Sequence, residues 1–241
     1  MKNINRSLFF IIFLAATHSH AEENNNPTNK IDYKLTTSYY STDSNNAYDI
    51  NLRGNSGNHT GWLGGYQDDS GFKQARAGYE YTQDEGVARI VWSAQIASRG
   101  FLGGSATAEV GGDSFAIFGI GRTNLRDYYN LNFDPNDALT AGVGTRAIAN
   151  TELSFFRVWD DRLDTRQQVT HGVIRYKPTS EQRITIDASY KSGLTSDSVY
   201  VEGYGLSLTY DYQYFFIRVA EDQHVNFTQE NMTRCSIGVR F

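Results

Sequence analysis

Three histidines follow residue 21: His59, His171 and His224. His171 has a hydroxyl beside it, Thr170, and follows the acidic run Asp160–Asp164. His224 follows Glu221 and Asp222. A histidine oriented by a carboxylate and within reach of a hydroxyl is the minimum for acyl hydrolysis. The imidazole takes the proton and the acid fixes its tautomer. His171, His224 and Asp160 are therefore the candidate catalytic groups. Against them stands the absence of any G-x-S-x-G or H-E-x-x-H pattern, so nothing fixes a nucleophile. A histidine on a polar strand face serves equally as a structural or lining group, and that reading takes precedence. Asp134-Pro135-Asn136-Asp137 lacks the spaced acids and terminal Glu of a Ca²⁺ loop. Gly119-Ile120-Gly121 lacks the third glycine of a dinucleotide fingerprint. No metal site and no cofactor is expected.

The elements that must position these groups are strands. Apolar and polar residues alternate with period two in segment after segment. The segments are Ile31–Asp43, Tyr48–Gly54, Thr60–Asp68, Phe72–Thr82, Val87–Ser98, Gly103–Gly111, Ser114–Asn124, Ala138–Ala147, Glu152–Trp159, Val169–Tyr176, Arg183–Lys191, Val201–Tyr212, Tyr214–Asp222 and Asn231–Phe241. That makes about fourteen; merging the two Gly-rich segments in the middle, whose phase the sequence does not set, gives twelve. Every second connection is compact and rich in turn residues: Gly54–His59, Gln83–Gly86, Gly111–Ser114, Ile148–Thr151, Pro178–Gln182 and Asp211–Tyr214. The alternate set includes the longer Arg126–Asp137, Asp160–Gln167 and Gln223–Glu230. No linker divides residues 31–241, which read as one domain.

Composition narrows the class. Mean hydropathy is -0.50, and no apolar run after Ala21 approaches the roughly 20 residues of a membrane-spanning helix. A helical membrane protein is excluded. The 16 Tyr, 14 Phe and 22 Gly against 3 Pro suit long strands flanked by aromatic residues. Residues 1–21 read as a secretory signal: Lys2 and Arg6, an apolar core from Leu8 to Ala16, and Ser19-His20-Ala21 as the small-residue cleavage site. Residues 22–30 read as a polar tail. Cys235 is the only cysteine, so no internal disulfide can form.

In the final segment, Thr233, Cys235, Ile237, Val239 and Phe241 alternate with Arg234, Ser236, Gly238 and Arg240. An amphipathic strand ending on Phe resembles the closing strand of bacterial outer-membrane β-barrels. That resemblance implies an all-β, antiparallel up-and-down transmembrane barrel in the cell outer membrane, with both termini and the short turns on the periplasmic side. It also implies that Phe241, Val239 and Ile237 form a signal for the barrel-assembly machinery. The other expected partners are outer-membrane lipid and lipopolysaccharide, and small solutes. Nucleic acid is not expected, and a closed barrel without sheet edges is expected to be a monomer.

If the apolar phase meets lipid, the other phase lines the lumen. It contains Lys34, Arg53, Arg76, Arg89, Arg146, Arg175, Arg183, Lys191, Arg218, Arg234 and Arg240, against fewer acids: Asp32, Asp49, Glu80, Glu109, Asp187 and Asp211. The whole chain nevertheless carries a net charge of -5, with acids gathered at connections such as Asp68-Asp69 and Asp160-Asp161. Rings of Arg and Lys favour anionic solutes, so the first expectation is a narrow channel for small, anionic solutes. A salt-bridged core filling a barrel that conducts little is the plainer alternative. A lipid hydrolase acting on lipid A or phospholipid, through His171 or His224 near the outer rim, is the enzymatic one. An enzyme is the less favoured reading.

Overall fold

The computed structural model describes residues 31–241; the signal and tail assignments fall on residues 1–30, outside the described residues. Fourteen strands follow in order: β1 (Asp32–Thr42), β2 (Asn46–Ser56), β3 (His59–Asp68), β4 (Lys73–Asp84), β5 (Ala88–Ala97), β6 (Phe101–Gly111), β7 (Ser114–Thr123), β8 (Ala138–Ile148), β9 (Thr151–Asp160), β10 (Gln168–Thr179), β11 (Gln182–Leu194), β12 (Tyr200–Tyr212), β13 (Phe215–Asp222) and β14 (Met232–Arg240). Each pairs antiparallel with its sequence neighbours, and β14 pairs with β1, so the sheet closes. A closed sheet satisfies every ladder N–H and C=O internally, which is what a lipid environment demands.

The Gly-rich middle is two strands, which removes the twelve-strand alternative. Gly103 stands opposite Thr123 and Gly111 opposite Phe115. Gly111 makes the corner between them at φ 140°, a conformation that a side chain resists. Pro178 lies in the irregularity between Tyr176 and Thr179, where the β10–β11 register shifts and a missing N–H is tolerated. The seam is tied beyond the last strand. Phe241 N–H donates to Tyr33 O (3.0 Å), Tyr33 N–H donates to Phe241 O (2.9 Å), and their rings stack at 5.8 Å.

Alternation sorts the two faces. Outward positions include Leu63, Ile96, Phe118, Val143, Phe155, Ile217 and Ile237, all exposed. A continuous apolar band of this size belongs in lipid. Tyrosines border it at the short-turn end (Tyr79, Tyr81, Tyr210, Tyr212) and at the long-loop end (Tyr39, Tyr48, Tyr190, Tyr204), the aromatic girdles of a membrane barrel.

Inward positions hold the polar phase together with several aromatic rings that lie flat against the wall. Two of these rings cover an inward glycine on the next strand. Trp62 lies over Gly78, and a Cβ there would sit 2.3 Å from the indole; Phe216 lies over Gly238, where the distance would be 2.0 Å. These glycines are vacancies for rings, which keeps bulk out of the lumen. A buried apolar cluster also occupies part of the lumen toward the long-loop end. It joins Tyr40, Ala47 and Tyr66 of the wall to Phe133, Val225 and Met232.

Candidate functional site: the lumen and its inward loop

The β7–β8 connection, residues 124–137, folds into the barrel and is fastened at several points around the wall. On one side the Gln74 amide donates to Tyr129 O (3.1 Å) and accepts from Tyr129 N–H (2.9 Å). The Tyr129 ring stacks on Tyr66 at 4.7 Å, and Tyr128 stacks on Phe101 at 4.1 Å. Burial pushes both of these loop phenols above their usual pKa. On the far side the Asp134 carboxylate reaches His171 Nε2 (3.0 Å). Phe133 lies beneath the Arg234 guanidinium, 5.4 Å from ring centre to carbon. Asp137 anchors the loop's end, accepting from Thr123 N–H (3.1 Å) and from Arg162 (2.7 Å).

The loop divides the lumen. Beneath it is a chamber of about 550 Å³ bordered by Thr36, Asp49, Asn51, Trp62, Gln95 and Arg218, among others. Above it, toward the long loops, is a vestibule of about 470 Å³. Tyr128, Asn130, Asp134 and Pro135 border both. The loop is the narrowing between the two spaces.

Charge is distributed unevenly around the wall. From β2 to β10 four inward arginines, Arg53, Arg76, Arg146 and Arg175, are neutralised by carboxylates. Arg76 meets Asp49 at 2.5 Å with both side chains buried, and Arg53 meets Glu80. Arg146 contacts Glu109 (2.6 Å) and Glu152 (2.8 Å), and Glu152 also takes Arg175 (2.5 Å). Arg89 sits at the short-turn end, exposed, opposite Asp84 and Glu109.

From β11 round to β1 the balance differs. Arg234 and Arg240 lie on β14, Arg218 stands opposite Ser236 between them, and Lys34 stands opposite Arg240. Arg183 and Arg240 share one acid, Asp211. Arg218 donates to Thr209 Oγ1 (2.9 Å), and Lys34 lies 3.8 Å over the Phe216 ring. Among the described residues, Lys34, Arg218 and Arg234 form no ion pair. The Arg234 Nε is buried without a hydrogen-bond partner among them. The cations thus form a ladder from the loop down to the short-turn end. Farther up the same wall, Lys191 is buried against Asp222 at 2.6 Å.

The candidate catalytic groups do not assemble. His171 is inward, its Nδ1 2.9 Å from Asp187 and its Nε2 3.0 Å from Asp134. Its ring stacks on Phe156 at 4.8 Å. Both nitrogens face carboxylate oxygens, so neither is available to draw a proton from a hydroxyl. Thr170 points to the opposite face and accepts from Arg157. Asp160 is not near this imidazole's nitrogens; it caps the β9–β10 loop, accepting from the N–H groups of Arg162, Leu163 and Thr165. His224 sits in a left-handed turn, its Nδ1 3.0 Å from Thr228 O. His171 is a fastener for the inward loop.

The inward acids Glu152 and Asp222 and the loop acid Asp134 were missing from the acids counted by alternation. Glu152 and Asp222 lie at strand ends, where the phase is hardest to fix. The docking of the loop was also missed. Its signal was present: Tyr40, Tyr66 and Phe101 are large aromatic residues in the polar phase, and each is buried.

No family profile matches this sequence, and no curated protein does. Among solved structures, the outer membrane protein Omp33 of Acinetobacter baumannii is similar at TM-score 0.59 and 10% identity, over 87% of this chain and 97% of that one. The KdgM porin (TM-score 0.49, 10% identity, 86% and 99%) and the NanC porin (0.48, 8%, 86% and 98%) also align. The fold is shared with the outer membrane protein Omp33: this chain is a closed antiparallel barrel, here of fourteen strands, whose outward apolar band and girdles suit lipid.

Proposed function

We propose that this barrel is a narrow diffusion channel for small anionic solutes. The observation that carries the reading is the ladder Arg234, Arg218, Lys34 and Arg240, with Arg183 beside it, along one wall. Its only carboxylate partner among the described residues is Asp211. A row of fixed cations in a low-dielectric tube lowers the energy of an anion along its whole length and raises that of a cation. The opposite wall, where Arg53, Arg76, Arg146 and Arg175 are each paired with a carboxylate, contributes shape and hydrogen-bonding groups and a weaker net field. The inward loop sets the size limit, since a solute must pass between Tyr128, Asn130, Asp134 and the wall.

The test is the reversal potential of the reconstituted barrel in a planar bilayer under a KCl gradient. Chloride selectivity is the expected result. Cation selectivity, or no conductance from protein shown to be folded by heat-modifiable migration, would sink the proposal.

A further inference from the structure

The channel uses the inner wall, but Arg157 stands on the outer wall, in the outward phase that the acid-paired Arg122 of β7 also occupies. On β9 the inward residues are Ser154, Phe156 and Val158, and the outward ones are Phe155, Arg157 and Trp159. Arg157 is exposed and lies three residues below the long-loop end of its strand. Two outward neighbours on β10 orient it. Its Nε donates to Thr170 Oγ1 (2.9 Å) and its Nη1 to Gln168 Oε1 (3.3 Å). No carboxylate pairs with it among the described residues. Its Nη2 makes no hydrogen bond to another described residue.

An arginine facing acyl chains is costly at mid-bilayer, and the cost vanishes near the interface. A charge at that depth is best satisfied by an anion that the surrounding lipid supplies. The connections following β5, β7 and β9 carry Arg99, Arg126, Arg162 and Arg166 beside Asp127, Asp134, Asp137, Asp161 and Asp164, so the rim above this sector is mixed in sign.

We infer that the outward face of β9 and β10 at Arg157 binds the phosphate of a phosphorylated lipid headgroup in the outer leaflet. The guanidinium fork takes the phosphate oxygens, Thr170 and Gln168 hold the fork in place, and Trp159 flanks it at headgroup level.

Native mass spectrometry of the folded, detergent-solubilised barrel titrated with diphosphoryl lipid A tests this. Arg157→Gln is expected to weaken binding about tenfold, the worth of one charge-assisted contact. Arg157→Lys should fall in between, and Lys177→Gln, exposed at the other end of β10, should bind like the parent. Dephosphorylated lipid A should bind the parent as weakly as the intact lipid binds Arg157→Gln. Unchanged binding by Arg157→Gln, an equal loss in Lys177→Gln, or undiminished binding of the dephosphorylated lipid would overturn the inference. Heat-modifiable migration of each variant separates lost binding from failed folding, and a variant that does not fold is replaced by Thr170→Val, which removes the orienting acceptor and should weaken binding in the same direction.

Discussion

Two walls of one lumen carry the same residue type and use it differently. On the wall from β2 to β10 each of Arg53, Arg76, Arg146 and Arg175 has a carboxylate within ion-pair distance. On the wall from β11 to β1, Arg218 and Arg234 have none, and Arg183 and Arg240 divide one. The distinction comes from register. Asp49 lies two strands from Arg76, where the tilt of the sheet brings the side chains together, while Arg218 stands opposite Ser236 and Thr209, and Arg234 opposite Ala220 and Tyr40. A paired arginine acts as a strut, whereas an unpaired one facing solvent acts as a field source.

Breaking the strut wall should give the largest effect. Asp49→Asn leaves the buried Arg76 without its partner, at a cost of about 3–5 kcal/mol. It should show as a clear drop in the temperature at which the folded gel band is lost. Arg218→Gln should leave that temperature nearly unchanged, and equal losses in the two variants would erase the contrast.

The second prediction concerns the field. One fixed charge about 7 Å from a passing ion in water is worth ~0.6 kcal/mol, or about threefold in relative permeability. Arg218→Gln and Arg234→Gln together should therefore reduce the chloride preference by close to an order of magnitude. The double replacement Arg53→Gln with Glu80→Gln, which removes a neutral pair, should leave it where it was. Reversal potentials decide between these outcomes.

Salt sharpens the comparison further. Raising ionic strength from 0.1 M to 1 M shortens the Debye length from about 10 Å to about 3 Å. Selectivity due to the ladder should fade over this range, while the buried Arg76–Asp49 strut, measured by thermal stability, should hardly respond. Persistent selectivity at 1 M would point to size exclusion by the loop instead.

The smallest effect is expected at the fastener. His171→Phe keeps the stack on Phe156 but loses both aspartates, so the loop is held mainly through Gln74 and its aromatic contacts. Single-channel records should show more open-state noise with less than about a twofold change in mean conductance, as for a locally loosened segment. A channel as quiet as the parent would mean that Asp134 is not a needed anchor.

Much of the barrel is legible in the order of its residues. Period-two alternation located the segments because one face must meet lipid and the other water, and a one-residue slip would exchange them. The short connections were readable from turn chemistry. Less legible was the middle, where Gly103, Gly104, Gly119 and Gly121 have no side chain to declare a face. The aromatic rings in the polar phase broke the pattern for a reason visible only in three dimensions: Trp62 and Phe216 need Gly78 and Gly238 beside them, on other strands.

That the chain makes strands, how these divide into two faces, and that cations populate the inward one are properties of local periodicity, present in the order of residues alone. Which cations are neutralised, that residues 124–137 turn inward, and that His171 meets Asp134 of that loop emerge only in the folded barrel. Those outcomes depend on register, tilt and closure, which bring together groups as distant in the chain as His171 and Asp134, and alternation along one strand contains no record of what stands across the barrel.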